Sequence, residues 1–238
     1  MSIRLSLDDA FETPQSKRHY VKRLFATIAD RYDLITRVLS YGQDARWKAR
    51  LVAMADVAPG ERALDLACGT GDLAFAVAAR GARAVGLDIT HRMVQLARQK
   101  SATARFITGD MSSLPFRSAS FDLVTTGYGL RNVPDLDAAI DEIARVLRPG
   151  GRLLSLDFNR PESPLLRGAY LSYLTVVGAT LGWILHRDPD TYRYIPASIR
   201  RYPGAQGVAD RMTRRGFHTV RIVPLLFGLM TLHFGERA

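Results

Sequence analysis

The sequence predicts an α/β fold, a mostly parallel sheet with helices packed on both faces. Between residues 61 and 158, short apolar runs alternate with helical segments of about ten residues, the rhythm of parallel strands joined by crossover helices. The stretch "LDLACGTGDLA" (64–74) reads as a glycine turn between one strand and the next helix, with Gly69, Gly71 and Ala74 in a G-x-G-x-x-A register. A chain of 238 residues, 47% apolar, can bury one sizeable core, so a single domain over 1–238 is expected.

Each element has its own signal. "ERALDLAC" (61–68) is an apolar run that reads as a buried strand, and "GDLAFAVAARG" continues as a helix ending at Gly81. "ARAVGLDI" (82–89) is the second strand, followed by a helix through "THRMVQLARQK" (90–100) with Thr90 as its cap. "ARFITG" (104–109) and "FDLVTTG" (121–127) supply two more strands. "DLDAAIDEIARVL" (135–147) places apolar residues at 136, 140, 143 and 147, a helical stripe stopped by Pro149-Gly150-Gly151, and "GRLLSLDF" (151–158) is a fifth strand.

Charge and cysteine content narrow the classes. Thirty-three basic against twenty-three acidic residues give a formal +10, which points to an anionic partner, nucleic acid or a lipid surface. No basic tract interleaved with aromatics and no zinc-ligand spacing is present, so a nucleic acid partner is not expected. Cys68 stands alone, which excludes an intrachain disulfide framework and suits a reducing compartment, and it reads as a packing residue. "MSIRLSLDDAFETPQSKR" lacks the apolar core of a secretory signal, so a cytoplasmic location is expected.

In a doubly wound sheet, ligands sit beyond the carboxyl ends of the strands. Gly69, Thr70 and Gly71, Asp88, Asp110 and Gly127 all fall there. Asp88, ending the second strand, is placed to accept from both hydroxyls of a ribose, which fits NAD and S-adenosylmethionine alike. The charge around the loop separates them. Asp65 and Asp72 bracket the glycines and would repel the pyrophosphate of NAD, whereas S-adenosylmethionine carries a sulfonium and an α-ammonium group. The glycines then serve close approach of the backbone, and the acids serve a cation.

"LDLACGTGD", "GLDIT", "DMSSLPF" and "RVLRPGGRLLSLDF" resemble the successive motifs of class I S-adenosylmethionine-dependent methyltransferases. More restricted blocks are "FATIADRYDLITRVLSYGQDARWK" (25–48), "GYGLRNVPD" (127–135), "DTYRYIPASIRRYP" (190–203) and "LMTLHFG" (229–235). Together they resemble the UbiE/MenG family, the C-methyltransferases of ubiquinone and menaquinone biosynthesis. The resemblance implies a Rossmann-like, mostly parallel seven-stranded sheet, a helical cap over about 1–50 and a lid insertion over about 160–205. It implies S-adenosylmethionine as co-substrate and a polyprenyl hydroquinone as acceptor, most simply demethylmenaquinol, with the benzoquinol of ubiquinone biosynthesis as the alternative. Thr70, Asp88, Asp110 and Met111 match family positions that bind the methyl donor. Ile35, Thr36 and Asp44 stand where the first signature usually differs, Asp44 in place of a histidine, and Asp157-Phe158-Asn159 replaces the usual E-F-S.

Methylation at carbon needs an electron-rich ring, so the hydroquinone and not the quinone is the expected acceptor. The site then needs a proton acceptor and a donor for the developing oxyanion. Arg131 and Asn132 on the "LRNVPD" loop are expected to position the acceptor, with His233 or Asp110 as base and Tyr32 nearby from the N-terminal region. "GAYLSYLTVVGATLGWIL" (168–185) carries no charge over eighteen residues, the threshold length of a membrane span, but it contains Gly168, Gly178 and Gly182 and follows directly on a strand. A lid lining an isoprenoid channel is the expectation there, on a protein held peripherally at the cytoplasmic face of the membrane by its positive charge. A homodimer is compatible with everything in the sequence.

Overall fold

The computed structural model describes Leu7 and residues 9–238. The extreme N-terminus, on which the secretory-signal argument and the start of the helical cap partly rest, lies outside the described residues. Helices α1 (Pro14–Ile28), α2 (Tyr32–Leu39) and α3 (Asp44–Met54) precede the first strand. Then β1 (Arg62–Leu66), α4 (Asp72–Ala78), β2 (Arg83–Asp88), α5 (His91–Lys100), β3 (Arg105–Thr108), β4 (Phe121–Gly127), α6 (Leu136–Val146) and β5 (Leu147–Phe158) alternate as the sequence requires. After them come α7 (Pro164–His186), α8 (Tyr194–Arg201), α9 (Gly204–Arg214), β6 (Phe217–Leu225) and β7 (Met230–Arg237).

The seven strands form one sheet in the order β3-β2-β1-β4-β5-β7-β6. All pairs are parallel except those of β7, which runs antiparallel to β5 and β6. Successive side chains of a strand face opposite sides, and the core divides accordingly. Leu123 and Leu154 pack with Trp47 of α3, Leu73 of α4 and Val94 of α5, while Val124 and Leu153 pack with Ile140 and Ile143 of α6 and Val208 of α9. Burying an isoleucine such as Ile140 is worth roughly 1.5–3 kcal/mol, and it holds α6 to its face of the sheet. Strand order reverses between β1 and β4, so the loops after these two strands diverge and leave a crevice above their carboxyl ends.

Two local readings change. Thr90 occupies the N-cap position of α5, but its side chain makes no capping bond, because its backbone N–H is drawn instead to Asp88 Oδ1 at 2.8 Å. The helix before β5 ends at Val146, ahead of Pro149-Gly150-Gly151, and β5 begins at Leu147 opposite Phe121 with a register shift that absorbs the turn residues. The uncharged stretch forms one helix, α7, 23 residues long and apolar enough by length and composition to cross a membrane. Its inner side packs on the domain through Tyr170, Leu174, Gly178 and Gly182, where a Cβ on Gly182 would lie 2.4 Å from the Asp188 carbonyl.

Candidate active site

The glycine turn is built from backbone strain that glycine absorbs. Gly71 has φ +95, and a Cβ there would stand 2.8 Å from the Phe75 ring and 2.9 Å from Phe106. Gly69 has φ +53 and lies beneath the Tyr32 ring. Its N–H donates to Asp88 Oδ2 at 2.9 Å, so Asp88 joins the ends of β1 and β2 by accepting one backbone N–H on each oxygen. A carboxylate has about four acceptor positions, which leaves two facing outward. Burial pushes Asp88 above the ordinary carboxylate range, opposed by those two N–H bonds.

Above this turn lies a cavity of about 640 Å³ that includes Gly69, Asp88, Asp110, Met111, Gly127 and Asn132 in its walls. Asn132 donates from Nδ2 to the Tyr128 carbonyl at 2.6 Å, and its buried Oδ1 has no partner. Asp110 accepts from Ser112 N at 2.8 Å and pairs with Arg18 Nε of α1 at 2.8 Å. Among the described residues, Arg18 is the only basic side chain in that wall.

The acids assigned by sequence to a cationic ligand are engaged by the chain itself. Asp65 accepts from Ala74 N at 3.1 Å, securing the start of α4, and from Thr125 Oγ1 at 2.9 Å. Desolvation raises it to about 7. Asp72 pairs with Lys48 at 2.9 Å and Lys100 at 3.5 Å. Thr70 donates to Asp33 Oδ1 at 2.7 Å, and Lys100 meets Asp33 at 2.7 Å, so the start of α2 is tied to the glycine turn. Asp65, Thr70, Asp72 and Lys48 all border a smaller cavity of about 300 Å³ next to the turn.

A second large cavity, about 770 Å³, has a different character. Leu24, Ile35, Trp47, Tyr170, Tyr192 and Met230 are among its apolar and aromatic walls, and among the described residues Arg131 is its only charged one. Phe25, Tyr32 and Tyr128 line both large cavities. Burial pushes the Tyr32 hydroxyl up to about 12. Tyr128 sits in the left-handed region at φ +60 and donates its hydroxyl to Asp44 Oδ1 at 2.6 Å, while Asp44 Oδ2 meets Lys48 at 2.6 Å. Asp44, a departure in the sequence pattern, thus holds the tyrosine between the cavities.

Arg131 is 5% exposed and paired with Asp157, whose oxygens accept from its Nε at 3.3 Å and its backbone N at 3.1 Å. Its guanidinium also donates to Ser198 Oγ and lies 5.0 Å from the Phe158 ring centroid. Lys17 of α1 donates to the carbonyls of Arg131 and Val133 at 3.2 and 2.5 Å, and burial beside Arg131 lowers it to about 8.

His233 is not brought to either cavity. It is 1% exposed within the sheet on β7, with Nε2 on the Ala205 carbonyl at 2.9 Å and Nδ1 near Ser155 Oγ at 3.3 Å. Burial lowers its pKa, so it is a neutral residue joining β7 to α9 and β5 rather than a base in the cleft. The sequence reading missed Lys17, Arg18, Asp33, Lys48, Tyr128 and Ser198. "DTYRYIPAS" held a signal for the last, since that block supplies Tyr192 and Tyr194 to the second cavity as well as Ser198 to Arg131.

The profile of the ubiE/COQ5 methyltransferase family matches residues 13–237. The chain belongs to that family. It is 40% identical to the demethylmenaquinone methyltransferase of Thermus thermophilus, with 90% of this chain and all of that protein aligned. It is 37% identical to the ubiquinone/menaquinone biosynthesis C-methyltransferase of Teredinibacter turnerae, over 96% of each. Among solved structures, a SAM-dependent methyltransferase of Thermotoga maritima superposes with a TM-score of 0.68 at 19% identity, covering 92% of this chain and 100% of the other. The [4+2]-cyclase SpnF superposes at 0.60 with 20% identity, covering 94% and 97%. These two show the shared class I fold. A cyclase on the same fold is a reminder that chemistry belongs to the site and not the scaffold.

Proposed function

We propose that this family member transfers the methyl group of S-adenosylmethionine to a ring carbon of a polyprenylated hydroquinone, demethylmenaquinol in the first instance. The observation that carries the reading is the meeting of two cavities, one bearing the strand-end carboxylates Asp88 and Asp110 and one walled mainly by aromatic side chains, at a wall shared by Phe25, Tyr32 and Tyr128. The names of the relatives support the naphthoquinol. The combined name of the Teredinibacter protein keeps the benzoquinol as the second reading.

The cavity that bears the strand-end carboxylates fits the methyl donor. Asp88 and Asp110 stand at the ends of β2 and β3 for the ribose and the adenine amino group, Asn132 Oδ1 is a buried acceptor without a partner, and Gly69 and Gly71 admit a ligand close to the backbone. Thr70, Asp65 and Met111 complete the proposed contacts, with Gly127 beside the transferring methyl. A dinucleotide pyrophosphate would find only Arg18, already on Asp110. Bound there, S-adenosylmethionine supplies an electrophilic methyl on a sulfonium.

The chain's own residues then prepare the acceptor. The apolar walls hold the ring and the start of its isoprenoid tail, and exclude water. The quinol hydroxyl proton passes to Tyr128 Oη as the tyrosine proton passes to Asp44, leaving a phenolate whose charge faces Arg131. The ring carbon forms its new bond to the methyl group as the methyl–sulfur bond breaks and its electron pair stays on sulfur. The proton on that carbon then leaves to solvent as the ring regains aromaticity, and the proton held at Asp44 returns through Tyr128 to the product oxygen. One proton is released per methyl transferred. Tyr32 holds the ring edge above Gly69, and Asn132 fixes the loop that carries Arg131.

Anaerobic assay of a short-chain quinol with S-adenosylmethionine tests the reading. Methylation is expected only with reductant present, and Tyr128→Phe is expected to lower turnover about 10²-fold, the scale of a lost acid–base partner, with donor affinity unchanged. Equal turnover of the oxidised quinone defeats the mechanism. Quinone mass spectrometry of a deletion strain distinguishes the head groups through the des-methyl species that accumulates. Peripheral attachment at the cytoplasmic face of an anionic membrane is part of this proposal, supported by the +10 charge and by a substrate that resides in lipid.

A further inference from the structure

The outer side of α7 carries no charge. Leu165, Val176, Trp183 and Ile184 are exposed, with Ala169, Ser172 and Thr180 between them, and the inner side is apolar as well. A helix on the surface of a soluble domain normally turns charged residues outward, whereas residues 168–185 of α7, beyond Arg167 in its first turn, are uncharged all round. Helix α2 runs beside it in the opposite direction. Tyr41 stacks on Tyr173 with ring centroids 5.6 Å apart, and the Arg31 guanidinium donates to the Leu185 carbonyl. Its exposed apolar side chains are Leu34 and Val38, at 51% and 42%, and Tyr41 just past its end is 57% exposed.

A third element joins the same face. In the turn between β6 and β7, Leu226 and Phe227 are both left-handed, at φ 47 and 55, a conformation unfavourable for bulky side chains. The turn sends Leu226 into the wall of the aromatic cavity and leaves Phe227 94% exposed. Tyr41 is likewise both a wall of that cavity and part of the surface. The apolar face is therefore continuous with the cavity interior. Arg31, at the start of α2, and Arg187, just past the end of α7, are exposed at one end of this face.

We propose that α2, α7 and the Phe227 turn form one bilayer-docking face, which seats the mouth of the aromatic cavity on an anionic lipid surface. The apolar side chains enter the acyl boundary, Trp183 sits at headgroup depth, and Arg31 and Arg187 meet lipid phosphates. The polyprenyl tail then stays in the membrane while its ring enters between Tyr41 and Leu226. This rests on the quinol reading above for its purpose, but the docking is measurable without substrate.

The chain holds two tryptophans, Trp47 buried at 8% exposure and Trp183 at 60%, so Trp183 is a native reporter. With vesicles of phosphatidylglycerol and phosphatidylcholine, tryptophan emission is expected to shift to the blue, and Trp183→Phe to abolish the shift without altering the thermal melt. Val176→Asp and Phe227→Ser, both at exposed positions, are expected to weaken vesicle partition at least tenfold. They should lower turnover of a long-chain quinol in vesicles in proportion and leave a water-soluble short-chain quinol unaffected. Variants that bind vesicles like the wild type overturn the proposal, as does a wild-type dimer in solution that Val176→Asp splits into monomers. If the wild type docks through these residues yet methylates neither quinol, the docking face stands and the substrate reading falls.

Discussion

The two large cavities are made in opposite ways. The one that bears the carboxylates is assembled largely from the ends of four neighbouring strands, so its residues follow one another in short motifs and are fixed by backbone hydrogen bonds, as Asp88 is by Gly69 and Thr90. The aromatic one is assembled from α1, α2, α3, α7, α8 and the β6–β7 turn, and its few polar groups are held by side-chain pairs such as Arg131–Asp157 and Tyr128–Asp44. A site built on strand ends is rigid and recurs across the fold. A site built between helices can be re-shaped for a new acceptor without disturbing the first.

If this contrast is right, Arg131→Ala should have the largest effect. Losing an oxyanion donor costs about 10²–10³ in turnover. Because Asp157 would be left buried without its partner, stability should fall by about 3–5 kcal/mol as well, measured by denaturant titration. The double variant Arg131→Ala/Asp157→Ala should recover much of that stability and none of the turnover. Asp88→Ala comes next, with donor affinity lowered about 10–10²-fold by calorimetry, the worth of a pair of charged hydrogen bonds, and acceptor binding unchanged.

A smaller effect tests whether the small cavity beside the glycine turn carries charge linkage. Asp65 is raised from 3.8 to about 7, so its neutral form is the one folding favours. Its stability contribution is present below the unfolded value and is lost as pH rises through 7. A bound cation has the opposite preference and expels the proton, so affinity for the methyl donor should rise with pH up to about 7 and level off above. Below that value the slope should approach about tenfold per pH unit, and Asp65→Asn should flatten it. The smallest catalytic effect belongs to His233→Leu. Turnover should be unchanged, while stability drops about 1–3 kcal/mol through the unpaired Ala205 carbonyl and Ser155.

The sequence made the carboxylate-bearing cavity legible because strand, turn and carboxylate lie within a few residues of each other. It showed the sign of the charge at Asp72 but not its partner Lys48, which reaches the turn from α3, outside the motif. Tyr128 and Asp44 are 84 residues apart, and no spacing rule joins them. The aromatic walls are more dispersed still, so Tyr170 and Met230 look like ordinary core residues until the helices are placed. His233 was misleading for the converse reason. A histidine in an apolar run at the end of the chain looks available, and only the pairing of β7 between β5 and β6 shows both its nitrogens engaged.

Phe25 and Tyr32 stand in the walls of both large cavities, and Asp33 beside Tyr32 is bonded to the turn through Thr70 and Lys100. A single hinge therefore serves two doors. Any outward swing of α1 and α2 that lets spent donor escape must also loosen the grip on the quinol, and a quinol wedged against Tyr32 must hold that exit shut. On the quinol reading proposed above, the donor is expected to bind first and the quinol second, an order that product-inhibition kinetics would check.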